Sequence, residues 1–324
     1  MADPVLRAGV LGVGTMGRHH ARIYRELPGA ELVGVGDADE TRAASVADEY
    51  GTEPMAQADL LADVDVVSIA VPTRFHDDLV EAAIDRGVHV LVEKPFVEDP
   101  LRGRDLIRRA RERGVTLAVG HVERYNPAVR ALDEIVPELD IIAIETNRLG
   151  PPLDRDIHED VVLDLMIHDI DVILSLLDAK LTDLSARGTQ DGQYVTATLE
   201  FGDGTVASLT ASRVTQEKIR TLSITARECK VNVDYGDRTV DIHRHSLPEY
   251  VVSDGDVRYR HESIVERPTV DNGEPLKAEL ESFLAAVRDG TRPLVDGEAG
   301  LRALELARTI SATAAGEPTS EGPQ

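Results

Sequence analysis

Residues 12 to 17 read Gly12-Val13-Gly14-Thr15-Met16-Gly17, directly after a β-rich run and directly before an amphipathic helical stretch. No other feature restricts the fold as much. Gly12 permits a tight turn, Gly14 lets the backbone approach a pyrophosphate, and Gly17 lets the helix pack closely on the strand. Unpaired amides and the dipole at the helix start favour an anion there. Asp37 ends the next β-rich run, about twenty residues beyond the last glycine, where a dinucleotide site needs an acid for the ribose hydroxyls. The pattern predicts a Rossmann unit with Gly12, Gly14, Thr15, Met16, Gly17 and Asp37 around the cofactor. Asp37 would repel a 2′-phosphate, which favours NAD over NADP. Arg42, one helical turn further, is the residue that could swing towards such a phosphate.

The rest of the N-terminal half agrees with a parallel sheet covered by helices. Extended runs at 6–11, 32–36, 64–71, 88–92 and 116–119 alternate with helical spacing at 16–27, 40–50, 74–86 and 101–113, the rhythm of right-handed β-α-β crossovers. After Gly120 the rhythm changes. A helix is expected over 127–135, a strand over 141–148 and a long helix over 161–177, then extended runs at 183–188, 194–201, 205–214, 220–225, 229–234 and 239–243. Gly202-Asp203-Gly204 and Tyr235-Gly236-Asp237 punctuate these runs, as turns between antiparallel neighbours do. Two helices, 276–289 and 299–314, close the chain.

The expected fold is therefore α/β plus α+β: a Rossmann NAD-binding domain over 1–121, then an open-sheet domain over 122–315 with helices on one face. Its closing helices are free to pack back on the first domain. A Gly/Pro/Glu/Ser tail over 316–324 is expected to be disordered. Two domains also suit 324 residues, since single cores stop growing near roughly 250–300.

With 59 acidic against 35 basic residues the net charge is −24. Such a surface repels phosphate backbones and anionic membranes, so neither nucleic acid nor membrane is an expected partner. The acid is spread along helix faces, as in Asp37-Ala38-Asp39-Glu40, a pattern that resembles proteins of salt-loaded cytoplasms. Cys229 is the single cysteine, which excludes a disulfide framework or a cysteine-based zinc site. A cytoplasmic protein is expected, with no membrane span and no signal peptide.

Further residues narrow the chemistry. Val71-Pro72-Thr73 ends the third long run and His76 follows it; Glu93-Lys94-Pro95 ends the fourth. Ligands of open parallel sheets lie at such strand ends, so Pro72, Thr73, His76, Glu93 and Lys94 are expected near the cofactor. His76 could equally be a helix-start residue without a ligand. Asp164 and His168 are four apart and share a helix face. Oxidising an alcohol needs a base for the hydroxyl proton, and a carboxylate one turn from an imidazole can orient it for that work. Lys94 offers a positive charge that favours an alkoxide. Each has a plain alternative: His168 as a core histidine, Lys94 as a solvated charge, Asp164 as a helix acid. His158-Glu159-Asp160 lies upstream, but its spacing to His168-Asp169 is not that of a zinc helix, and no metal is expected. Asp160 could simply cap the helix.

Together, the fingerprint, the Pro-Thr-x-x-His stretch, Glu93-Lys94-Pro95, residues 120–127 (Gly-His-Val-Glu-Arg-Tyr-Asn-Pro), the Asp164–Asp169 helix and the closing Pro293-Leu-Val-Asp-Gly-Glu298 resemble the Gfo/Idh/MocA oxidoreductases over nearly the whole chain. The resemblance implies a Rossmann domain followed by a mostly antiparallel sheet domain, with the active site in the cleft between them. It further implies Lys94, Asp164 and His168 as the catalytic set, a cis Lys94–Pro95 bond, and a homodimer or homotetramer formed by sheet-to-sheet association. Arg124, Tyr125, Asn126 and His158 would join Lys94, Asp164 and His168 at the substrate. Residues 120–127 and Asn147-Arg148-Leu149-Gly150-Pro151 most resemble the members that oxidise the 3-hydroxyl of UDP-N-acetylglucosamine. The expected activity is NAD-dependent oxidation of a sugar ring hydroxyl to a ketone. A free-sugar or inositol dehydrogenase is the alternative enzyme, and a nucleotide-sensing regulator without turnover the alternative of another class.

Overall fold

The structure is a computed structural model that describes residues 4–152, 160–245, 249–253, 256–260 and 262–316. It divides into two compact units. The first holds the described residues up to Tyr125 together with Gly273–Glu305, and the second holds those from Asn126 to Asn272 together with those from Leu306 onwards.

In the first unit, strands and helices alternate as β1 (Leu6–Leu11), α1 (Thr15–Glu26), β2 (Ala30–Gly36), α2 (Glu40–Tyr50), β3 (Glu53–Pro54), α3 (Gln57–Asp63), β4 (Val66–Ile69), α4 (His76–Asp85), β5 (His89–Glu93), α5 (Pro100–Arg113) and β6 (Leu117–Gly120). The sheet order is β3-β2-β1-β4-β5-β6 and every pair is parallel. Its direction reverses between β1 and β4, the switch point where such sheets take ligands. The strands read as near-continuous apolar runs because both faces are covered, and all four residues of β4 are buried. Helix ends follow local chemistry. Asp39 and Asp99 cap α2 and α5, and Gly51 and Gly114 end them in the left-handed conformation.

The helix Pro275–Asp289 belongs to this unit despite its distance in sequence. Leu276, Leu280, Phe283 and Leu284 are buried in one cluster with Val10, Tyr24, Leu27 and Val35. Gly300, on the last helix, packs against β6 so closely that an added Cβ would lie 2.6 Å from Val119.

The second unit opens with α6 (Pro127–Arg130) and α7 (Leu132–Ile135), then β7 (Ile141–Leu149) and α8 (Ile167–Leu176). The single helix expected over 127–135 is thus two short pieces, tightened into a 3-10 turn at Val136–Glu138 where Pro137 enters. Strands β8 (Leu181–Thr189), β9 (Tyr194–Phe201), β10 (Val206–Ser212), β11 (Ile219–Ala226), β12 (Lys230–Asp234), β13 (Thr239–His245), β14 (Glu249–Ser253), β15 (Asp256–Arg260) and β16 (Ser263–Glu266) follow. Eight strands pair in the order β16-β13-β12-β11-β7-β10-β9-β8, antiparallel throughout except β7 with β10, while β14 and β15 form a separate hairpin. Both glycine turns join antiparallel neighbours, as expected.

Period-two alternation gives this sheet one apolar face. Val195, Ala197 and Leu199 of β9, Ala207, Leu209 and Ala211 of β10, and Leu222 and Ile224 of β11 are buried, as are Met166, Ile167, Ile170 and Ile173 of the helical layer. The other face is polar, with Thr196 and Thr210 paired across strands at 3.4 Å and Ser223 donating to Asn232 at 3.0 Å. Among the described residues no helix is long and apolar enough to cross a membrane.

Phe283 is 1% exposed within the Rossmann cluster. Phe283→Ala should therefore cost about 3–5 kcal/mol of stability, read as a lowered denaturant midpoint. A loss below about 1 kcal/mol would mean that this helix contributes little to the first unit's core.

Candidate active site

The fingerprint turn is built by crowding. Gly12 sits at φ +84°, where a side chain is strained, and its added Cβ would also meet Val71 at 2.6 Å. At Gly17 an added Cβ would fall 1.8 Å from the Gly12 carbonyl oxygen, so α1 starts in direct backbone contact with the turn. At Gly14 the added Cβ would meet nothing within 4 Å. Its lack of a side chain serves no internal packing and leaves an open approach. Helix α1 has no side-chain cap at Gly14, and Thr15 and Met16 beside it are exposed, as an anion-binding helix start requires.

Asp37 stands at the end of β2 with a side chain 8% exposed. One carboxylate oxygen accepts the Val13 amide at 2.8 Å, inside the fingerprint, and the other accepts the Asp39 amide at 2.9 Å. The Arg42 guanidinium lies 3.3 Å from both oxygens. Arg42 thus rests against Asp37 rather than away from it, and Asp37 ties the glycine turn to β2.

Pro72, exposed, and Thr73, half-buried, follow β4. His76 is 1% exposed, with Nε2 2.9 Å from the Val71 carbonyl and Nδ1 2.9 Å from the Pro95 carbonyl. Its two ring nitrogens face these backbone carbonyls, so it bridges the β4 and β5 corners. At the β5 corner the Lys94–Pro95 peptide is cis. The half-buried Glu93 accepts the Lys94 amide at 3.3 Å. Gly12, Gly14, Gly17, Asp37, Thr73, Glu93 and Lys94 thereby gather along one edge of one parallel sheet, astride its switch point. These residues fit a dinucleotide: the open Gly14 and uncapped α1 would hold the pyrophosphate, and Asp37 the adenosine ribose.

In the second unit the expected helix over 161–177 begins as a π turn at Val162–Met166 and becomes α-helical at Ile167. Asp160 caps it, accepting the Val162 and Leu163 amides at 3.0 and 2.9 Å. Wide turns of this kind recur at functional sites. Asp164 lies in the π turn and His168, half-buried, in the first turn of α8. The Asp164 carboxylate forms an ion pair with Arg213, which follows β10 and is 5% exposed. Asp169, next to His168, takes a two-pronged bond from Arg148 of β7 at 2.8 and 2.9 Å, and the guanidinium stacks 5.2 Å over the Tyr235 ring.

Arg213 and the Arg148–Asp169 pair were outside the sequence expectation. Arg148 could have been found as an arginine at an inward position of β7, since Ile144, Thr146 and Arg148 alternate onto the buried face. Asn126 is buried, with its amide donating to the Tyr235 carbonyl at 3.1 Å and its carbonyl capping Ala128. It shapes the chain after Tyr125, which is buried, while Arg124 is half-buried. His158 lies outside the described residues.

A parallel sheet in this order, with a glycine turn open at Gly14 and an acid closing β2, defines a Rossmann oxidoreductase of the nicotinamide-dependent class. Sequence comparison agrees. A model of an oxidoreductase family with an NAD-binding Rossmann fold matches residues 6–121, and a Gfo/Idh/MocA C-terminal domain model matches residues 147–231. The chain is 37% identical to the UDP-N-acetylglucosamine 3-dehydrogenase of Acidithiobacillus ferrooxidans, covering 94% of this chain and 96% of that one. It belongs to the Gfo/Idh/MocA family of oxidoreductases. A solved structure of the same A. ferrooxidans enzyme superposes with a TM-score of 0.87 at 35% identity, over 95% of this chain and 97% of that one. An inositol 2-dehydrogenase of Rhizobium meliloti is 30% identical, over 93% of this chain and 94% of that one. A D-xylose 1-dehydrogenase (NADP(+)) of Haloferax volcanii is 28% identical, over 94% and 95%.

The open space at Gly14 and the crowding at Gly17 separate binding from folding. Gly14→Val should keep the thermal midpoint of the wild type and lose NADH binding, followed by fluorescence titration. Gly17→Val should lose the fold itself. Wild-type NADH affinity in Gly14→Val would remove the pyrophosphate from this turn.

Proposed function

We propose that the protein oxidises a ring hydroxyl of a nucleotide sugar to a ketone with NAD, as a UDP-N-acetylglucosamine 3-dehydrogenase does. The observation that carries this reading is the 37% identity to an enzyme of that name, which spans 94% of the chain. The second reading is an inositol or free-sugar dehydrogenase, favoured by the full-length similarity to the R. meliloti enzyme.

The bound nicotinamide supplies the hydride acceptor. Taking hydride from a neutral alcohol leaves a protonated carbonyl unless the hydroxyl proton departs, and His168 is the base that receives it. The Lys94 ammonium holds the hydroxyl oxygen and favours its alkoxide. Asp164, with its charge shared by Arg213, orients His168 more than it stabilises an imidazolium. Arg124, Tyr125 and His158 complete the substrate contacts, and Asn126 shapes the turn beside them. The first unit serves as the NAD-binding domain and the second as the substrate and association domain.

NAD is preferred over NADP because Asp37 faces the site of a 2′-phosphate. Arg42, held against Asp37, is a residue that NADP could use, and the H. volcanii relative carries NADP in its name. The net charge of −24 suits a salt-rich cytoplasm, and the strand-rich second unit suits a homodimer or homotetramer.

Reduction of NAD and NADP in molar salt, with UDP-N-acetylglucosamine, glucose and myo-inositol, tests the reading. The nucleotide sugar with NAD should exceed every other pair in kcat/KM by about tenfold or more. Faster turnover of inositol would select the second reading, and cofactor binding without turnover of any compound would favour a regulator. His168→Ala should lower kcat by about 10²–10⁴ and leave NADH affinity near that of the wild type. Retained turnover in that variant would pass the proton to Lys94.

A further inference from the structure

Three buried polar side chains of the first unit, His20, Tyr24 and Ser68, have no part in the chemistry above, yet with the half-buried Glu93 they form one chain that ends at Lys94. His20 and Tyr24 lie one turn apart on α1, 1% and 0% exposed. Ser68 is fully buried in the otherwise apolar strand β4. The His20 Nδ1 is 3.0 Å from Ser68 Oγ, and the Tyr24 hydroxyl is 2.9 Å from the same oxygen. The His20 Nε2 is 3.0 Å from Glu93 Oε1, and the other Glu93 oxygen accepts the Lys94 amide. Buried polar groups cost free energy unless each finds a partner, and here each does.

Proton placement follows from the carboxylate end. An ionised carboxylate only accepts, so His20 carries its proton on Nε2 and donates it to Glu93. The Nδ1 of a neutral ring then accepts from Ser68, and Ser68 accepts from Tyr24. Burial pushes the Tyr24 hydroxyl well above its usual range, which keeps it a donor. For Glu93, burial works to raise the carboxyl, but the His20 hydrogen bond and the charge of Lys94 beside it hold it below the usual range. The groups facing Glu93 are His20 from α1, Lys94 beside it, and Gly120 of β6, where an added Cβ would lie 3.1 Å from Glu93 Oε2. Ser68 and Tyr24 face His20, and Glu279 acts electrostatically on Tyr24.

We propose that His20 is a positioning residue, which through Glu93 fixes the corner that presents Lys94 and ties that corner to the helix opening at the glycine turn. The proposal rests on the reading of Lys94 as a group that holds the reacting hydroxyl. It gives α1 a second task, since its first turn would receive the pyrophosphate while its second steadies Lys94. With His20 replaced by an apolar side chain, Glu93 keeps the cost of burial and loses its main donor. It then takes up a proton in a range where the wild type stays ionised, and a neutral Glu93 restrains Lys94 less.

Infrared difference titration of the cofactor-free, full-length protein over about pH 5 to pH 8 reads this without turnover. Relative to the wild type, whose 59 acidic residues already contribute at the acid end, an additional protonated-carboxyl band should appear in His20→Leu, and be missing from the same difference for His20→Gln, whose amide still donates to Glu93, and for His20→Leu/Glu93→Gln. A His20→Leu spectrum identical to that of the wild type would overturn the proposal. In turnover, His20→Leu should lose about tenfold to a hundredfold in kcat, gain an acid limb in its pH profile, and keep the sugar KM. His20→Gln should recover most of the rate. Equal losses in both variants with an unmoved pH profile would reduce His20 to packing. Nitrogen NMR of wild-type His20 needs no substitution and covers the case in which His20→Leu does not fold. The Nε2–H tautomer is expected, and an Nδ1–H tautomer would overturn the chain. Failure to oxidise any sugar would strike the proposed function, while the infrared and NMR results would still decide the chain.

Discussion

The contact between Gly17 and the carbonyl of Gly12 governs much of the first unit. With 1.8 Å between that oxygen and any added Cβ, only glycine lets α1 begin where it does. From that start come the open approach at Gly14, the uncapped helix end, and the phase of the helix that turns His20 and Tyr24 onto the buried side towards Ser68. The Asp37 carboxylate then bonds the Val13 amide within the same turn, so the acid proposed to read the ribose also holds the loop proposed to meet the phosphates. A backbone constraint of three glycines thereby sets both the shape of the turn proposed to take the cofactor and the foundations of the Lys94 corner.

In the second unit the corresponding constraint is electrostatic. A buried charge that lost its partner would cost several kcal/mol, so Arg148–Asp169 and Arg213–Asp164 fix the strands β7 and β10 against the turns that carry Asp164 and His168. Arginine suits this role because its planar fork meets a carboxylate at two points, as Arg148 does with Asp169. The surface ion pairs are a different matter. The Arg108–Glu112 pair on α5 is exposed and adds little. Such pairs answer the self-repulsion of an acidic chain rather than define its fold.

The elements with strong period and local punctuation were legible from sequence. Helix α2 matches its expected limits because Asp39 caps it and Gly51 ends it. Strands β1 and β9 match because their burial alternates or persists as their residues do. Strand β3 was missed since two exposed residues, one a proline at a sheet edge, carry no pattern. β16 was missed because all four of its residues are exposed. The π turn around Asp164 has the spacing of an α-helix in sequence and differs only in its hydrogen bonding. At the site, the glycines and Asp37 could be read because a motif fixes their spacing. Arg213 and His20 could not, since their partners lie 49 and 73 residues away and only the folded topology brings them together.

Isotope transfer follows the proposed passage of hydride from a ring carbon of a nucleotide sugar to NAD. With UDP-N-acetylglucosamine deuterated at carbon 3, the label should appear at C4 of the nicotinamide in the NADH formed, and kcat/KM should fall relative to the unlabelled sugar. NADH formed without deuterium, or label wholly retained on the sugar, would rule out hydride transfer from carbon 3.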